Sequence, residues 1–211
     1  KINEFLEHES EPEYFINKLR SDLQARNLGD ERTEELIAKR QKYQNNKYVY
    51  SLLLQYAAGF GKSNIIGWTA LQLKDFRMNN EYVYDKVMLV VDRLQLRDQL
   101  DTMLHNMNIQ KSMFIEATNK RTFTAALKST TRIVVVNLQK FDTIKDVMDP
   151  EIVKKLATMR VAFLIDEIHR SHSGKQSHEM ISLFDELQSG FDNSKDYKKH
   201  QKKKNLIIGF T

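Results

Sequence analysis

The sequence predicts an α/β domain with a mostly parallel sheet between helices, preceded by an α-helical lead-in. Three observations carry that prediction: short apolar runs rich in β-branched residues, amphipathic stretches of about 10 to 15 residues that alternate with them, and a change of character near residue 48. Residues 1–47 are rich in Glu, Lys, Arg and Gln, with apolar residues at helical spacing: Phe15, Ile16, Leu19 and Leu23, then Leu36 and Ile37. They read as a helical lead-in or linker, and residues 48–211 as the main domain.

Within the main domain the runs Ser51 to Tyr56, Val87 to Val91, Met113 to Ile115, Arg132 to Leu138, Val161 to Ile165 and Leu206 to Ile208 read as strands. Continuous apolarity implies burial on both faces, which a parallel sheet covered by helices provides. Candidate helices are Lys62 to Lys74, Leu94 to Met107, Thr122 to Lys128, Gln139 to Met148, Glu151 to Thr158 and His178 to Leu187. Such alternation builds a doubly wound domain.

The absence of cysteine excludes disulfides, cysteine zinc sites and thiol nucleophiles. No apolar run approaches the roughly 20 residues of a membrane helix and no signal-peptide pattern opens the chain, so a cytoplasmic protein with no membrane partner is expected. The formal charge of +5 suits a polyanionic partner, yet much of the excess sits in one run, Lys195 to Lys204, which reads either as a solvated loop or as a DNA-binding face. Both ends, Lys1 and Thr211, read as cut from something larger.

The first chemistry-bearing motif follows the first strand: Ala57-Ala58-Gly59-Phe60-Gly61-Lys62-Ser63, then an amphipathic stretch. Glycines let the backbone curl so that the N–H groups of residues 58–63 point at a phosphate, and the helix that follows adds its positive end. Lys62 is then expected to reach the β- and γ-phosphates of ATP and Ser63 to ligate Mg²⁺. The match to the full phosphate-loop pattern is incomplete, because Tyr56 stands where a glycine belongs.

The second motif ends the strand Val161 to Ile165: Asp166-Glu167-Ile168-His169. Two carboxylates at a strand tip supply what ATP hydrolysis needs, with Asp166 holding the metal and Glu167 orienting the attacking water. His169 either couples the nucleotide state to the strand Leu206 to Thr211 or caps the strand end. Together the motifs define a RecA-like P-loop NTPase reading of the domain.

Gly59-Phe60-Gly61-Lys62-Ser63, Val90-Val91-Asp92-Arg93, Asn137-Leu138-Gln139-Lys140-Phe141, Asp166-Glu167-Ile168-His169-Arg170-Ser171 and Gly209-Phe210-Thr211 stand in an order and spacing that resembles superfamily 2 helicase motors. More narrowly, the Val-Val-Asp-Arg element with Asp98-Gln99-Leu100, the Gln-Lys-Phe element and the Arg-Ser after the acidic box resemble the motor (R) subunit of prokaryotic type I restriction-modification enzymes. The resemblance covers about residues 51–211. It implies the first RecA-like domain of an ATP-driven double-stranded DNA translocase that works with methylation and specificity subunits and a separate nuclease domain, within a type I restriction endonuclease.

By the same resemblance, Arg93, Asn137, Gln139 and Lys140 lie near the DNA backbone, Thr211 opens a coupling motif, and Gln41 or Gln44 reads adenine. Gln41 and Gln44 also read as an exposed polar helix face, and Arg93 as a salt-bridged helix start. Ser63 and Ile168 stand where the family usually has threonine and alanine. Neither the nuclease constellation nor the second RecA-like domain with its arginine finger is recognisable, so the isolated segment is expected to bind ATP and turn it over slowly. Other readings are a strand-separating DNA or RNA helicase, a type III restriction motor, a nucleotide-binding switch or scaffold that does not translocate, and a small-molecule kinase.

Overall fold

The computed structural model describes residues 2–8, 11–45, 49–57, 59–91, 102, 111–137, 158–168 and 205–211. These form two compact units, Lys1–Tyr48 and Val49–Thr211.

The first unit holds three helices, α1 (Ile2–Glu7), α2 (Pro12–Ala25) and α3 (Asp30–Asn45). Pro12 opens α2, where its missing N–H costs nothing. Ile16 and Leu23 of α2 and Ile37 of α3 are buried together, with Leu19, Leu28 and Leu36 packed around them, as their helical spacing predicts. The Arg20 guanidinium donates to both Glu34 carboxylate oxygens, at 3.2 and 3.3 Å, tying α2 to α3 at the surface.

The second unit is a six-stranded sheet in the order β1 (Val49–Leu54), β8 (Asn205–Phe210), β7 (Val161–Ile165), β4 (Lys86–Val91), β6 (Ile133–Asn137), β5 (Phe114–Ala117). Every neighbouring pair is parallel. Two described helices flank it, α4 (Lys62–Asp75) between β1 and β2, and α5 (Lys120–Lys128) between β5 and β6. The chain steps one way across the sheet through α4 and back through α5. Right-handed crossovers therefore put the two helices on opposite faces.

Packing agrees with that topology. Phe123, Ala126 and Leu127 of α5 cluster with Met88, Val90, Val134, Val136, Phe163 and Ile165. The alternate residues Leu89, Val91 and Leu164 line a pocket with Ser63 and Ile66 of α4, whose lining Val90 also reaches. This is a RecA-like, doubly wound α/β fold, and β4, β7 and β8 are buried along their whole length because both faces are covered.

The edge strand β1 departs from expectation. Its apolar run suggested burial on both faces, yet Leu53 is 67% exposed, as suits an edge strand that among the described residues pairs only with β8. The strand also ends at Leu54 rather than Tyr56. Met113 belongs to a 3-10 turn, Lys111–Met113, ahead of β5. A small antiparallel hairpin, β2 (Arg77–Met78) with β3 (Glu81–Tyr82), was not anticipated. Its turn residues Asn79 and Asn80 take φ of 51° and 64°, the left-handed pair that a two-residue hairpin loop requires.

The predicted helices at Leu94 to Met107, Gln139 to Met148, Glu151 to Thr158 and His178 to Leu187 lie outside the described residues, apart from Thr102 and Thr158. Among the described residues no helix is long and apolar enough to cross a membrane.

One charged residue stands in the buried sheet. Lys86 opens β4 fully enclosed, and its ammonium donates to the carbonyls of Ala126 (2.8 Å), in the last turn of α5, and of Ser129 (2.8 Å) and Thr131 (2.6 Å), just beyond it. It adds a donor where a helix end has carbonyls to spare. Lys86→Met is expected to destabilise the domain by about 3 kcal/mol, since three charge-assisted hydrogen bonds from one enclosed ammonium are lost at once; the midpoint of urea unfolding measures it.

Candidate functional site

The site lies at the carboxyl edge of the sheet, where parallel strands release their loops together. After β1 the chain turns through Gly59 and Gly61, whose φ values of 78° and 77° lie in the left-handed region that a side chain disfavours. Gly61 is the N-cap of α4, with Lys62 and Ser63 as its first two residues. No acidic residue occupies the first turn of α4, so its positive end is uncompensated by its own helix. Ala58 lies outside the described residues, and Phe60 is 69% exposed at the loop tip.

The second arm leaves β7. The Asp166 N–H donates to the Val90 carbonyl at 3.1 Å, pinning the strand end to β4. The Asp166 Oδ1 accepts from the Glu167 N–H at 2.9 Å, and Glu167 itself sits at φ 51°, an uncommon conformation for a residue with a side chain. This turn swings the Glu167 carboxylate toward α4.

The two arms meet. Lys62 Nζ lies 2.9 Å from Asp166 Oδ1 and also bonds Glu167 Oε1. Asp166 is buried and the other two are mostly so. Burial works against the Lys62 charge, but the hydrogen bonds it donates to Glu167 and Asp166 outweigh it and hold its pKa above the ordinary lysine value of 10.5. With a raised folded-state pKa, the stabilisation from this pair is fully present at neutral pH. It is lost only as pH climbs past the ordinary lysine range.

The arms come from strands that are not neighbours. β8 runs between β1 and β7, a separation of about 10 Å at two strand spacings, and Lys62 reaches the β7 carboxylates from the start of α4. The end of β8 is stitched to both sides. The Thr211 N–H donates to the Leu54 carbonyl at 3.0 Å, the Tyr56 N–H to the Thr211 carbonyl at 2.9 Å, and the Ile168 N–H to the Phe210 carbonyl at 3.2 Å. An aromatic row, Phe60 on Tyr56 on Phe210, with ring centroids 6.3 and 6.4 Å apart, follows the same path.

Ser63 and Asp166 line one small pocket with Ile66, Leu89, Val91 and Leu164. The Ser63 hydroxyl and the Asp166 carboxylate that share this pocket are hard-oxygen donors of the kind that suits Mg²⁺.

The remaining sequence candidates separate into three groups. Thr211 is at the site edge through its backbone, and Asn137 ends β6 level with Val91 on the same sheet edge. Gln41 is exposed on α3 in the helical unit, where Gln44 also lies. Arg93, Gln139, Lys140, His169 and the run Lys195 to Lys204 lie outside the described residues. Sequence reasoning passed over the contact between Ile168 and Gly209, although a glycine inside an apolar strand run is itself a sign of close approach.

A parallel, doubly wound sheet with a glycine loop feeding a lysine onto the acidic end of a central strand defines a RecA-like domain of the P-loop class. The sequence profile of SWI2/SNF2 ATPases matches residues 31–192, and the chain belongs to that family, a superfamily 2 helicase-like domain. Its backbone is also similar to that of the UvsW helicase from bacteriophage T4, with a TM-score of 0.42 and 16% identity over 78% of this chain. The chain spans 55% of that helicase chain. No curated protein sequence matches it.

If the Lys62 ammonium occupies a cation position, Lys62→Ala leaves two carboxylates without their counter-charge. Its expected cost at neutral pH is about 1–2 kcal/mol, below that of a fully buried pair because Lys62 is partly exposed. Added Mg²⁺ should then raise the melting temperature of Lys62→Ala more than that of the unaltered protein, measured by thermal unfolding with and without the metal.

Proposed function

We propose that this chain is the first RecA-like motor domain of an ATP-driven double-stranded DNA translocase, the R subunit of a type I restriction-modification enzyme. The observation that carries the ATPase part is the Lys62 ammonium resting on Asp166 and Glu167. The restriction-motor part rests on the sequence elements around Asp92-Arg93, Gln139-Lys140-Phe141 and Arg170-Ser171.

In this reading the loop at Gly59 to Gly61 and the start of α4 receive the nucleotide phosphates through backbone N–H groups. Lys62 leaves its carboxylate partners for the β- and γ-phosphate oxygens, exchanging one set of anions for another. Ser63 and Asp166 hold Mg²⁺, which neutralises phosphate charge when bound. Glu167, freed from Lys62, orients the attacking water, and its carboxylate is the acceptor nearest the departing proton. Burial of Asp166 keeps the local field strong by excluding water.

DNA contacts from Arg93, Asn137, Gln139 and Lys140, coupling through His169 and Thr211, adenine recognition by Gln41 or Gln44, and partnership with methylation and specificity subunits complete the proposal. A second motor domain supplies the arginine finger.

Two measurements on the full-length protein test it. Glu167→Gln should keep Mg-ATP affinity within about threefold while slowing hydrolysis by roughly a hundredfold or more; equal loss of binding would remove Glu167 from the chemistry. ATP hydrolysis should be stimulated by duplex DNA and not by RNA. Stimulation by single strands with strand separation would instead indicate a helicase, and no stimulation by any nucleic acid a nucleotide-dependent switch.

A further inference from the structure

Glu167 is held in a backbone conformation that side chains disfavour, φ 51°, so something must fix the turn that presents its carboxylate. The polar ties are the bond from Glu167 N–H to Asp166 Oδ1 and the bond from Ile168 N–H to the Phe210 carbonyl. The apolar tie is Ile168 itself. Its half-buried side chain packs against the core cluster on the α5 face of the sheet, the face opposite the phosphate loop.

There Ile168 lies directly over Gly209, the β8 residue in register with Ile165. A Cβ at Gly209 would stand 2.8 Å from Ile168 Cδ1, 2.9 Å from Cγ2 and 3.3 Å from Cβ. The first two are closer than real side-chain carbons approach, and the third is the branch point of a stiff residue that cannot swing away. The absence of a side chain at 209 is therefore the space Ile168 occupies. The turn is gripped from below by this contact, while above it Glu167 reaches Lys62.

We propose that Gly209 and Ile168 form a positioning pair for Glu167: the bare backbone of β8 seats the isoleucine, and the seated isoleucine fixes the acidic turn. Neither residue touches the nucleotide. This rests on the reading of Glu167 as the water-orienting group.

The test uses the full-length protein with Gly209→Ala, Ile168→Ala and both together. Gly209→Ala is expected to lower kcat for ATP hydrolysis about tenfold, with the Kd for Mg-ATP within about twofold, because the phosphate-binding arm is untouched. Ile168→Ala alone, which empties the seat without a clash, should lower kcat about threefold. The double variant should recover to within about threefold of the unaltered protein, a non-additivity that only contacting residues show.

Hydrogen exchange at the Ile168 amide provides a readout independent of turnover: faster in each single variant, slow again in the double. Exchange and kcat unchanged in Gly209→Ala, or no recovery in the double, would overturn the pair. Should Gly209→Ala fail to fold, Ile168→Ala decides alone, and unaltered exchange and kcat there overturn it. If the unaltered protein shows no ATP hydrolysis while the exchange pattern holds, the pair stands as the anchor of the turn and the catalytic reading of Glu167 falls.

Discussion

The structure depends on one meeting of charges: an ammonium from the start of α4 with two carboxylates from the end of β7, across an intervening strand. Asp166 is buried, and burying a carboxylate is costly unless a counter-charge or hydrogen-bond donors face it. Lys62 supplies the charge, and the backbone N–H of Glu167 supplies a donor. The same oxygens suit a divalent cation and the same ammonium suits a phosphate. The arrangement that stabilises the folded chain is thus one that nucleotide binding can take apart and reuse.

The sheet makes this meeting possible at the carboxyl edge. Parallel pairing sends every loop after a strand to the same side, and burial on both faces keeps β4, β7 and β8 in fixed register. β8 has a double duty in this frame. Its end bonds the chain after β1 through Thr211 and the acidic turn through Phe210, so the two arms of the site are tied to one strand.

Membership of the SWI2/SNF2 ATPase family and the geometry at Lys62 converge on ATP-linked work. The edge of the sheet that carries these groups also carries the ends of β4 and β6, the latter closing with Asn137. The proposed DNA contacts at Arg93 and at Gln139 to Lys140 follow the same two strands in sequence.

Much of the fold was legible because strands buried on both faces must be apolar at every position, and Val87 to Val91 and Val161 to Ile165 satisfy that rule without help from distant residues. The glycine loop and the Asp-Glu pair were legible for a similar reason: phosphate and metal chemistry demands particular residue types at short local spacing. Strand order was not legible, because pairing partners are chosen by crossovers that leave no periodicity in the chain. Only the folded structure shows that β8 separates β1 from β7, that β1 is an exposed edge despite its leucines, and that Gly209 is empty so that Ile168 can lie upon it. Local chemistry is written along the chain, whereas proximity between residues 62 and 167, or 168 and 209, exists only after the sheet has closed.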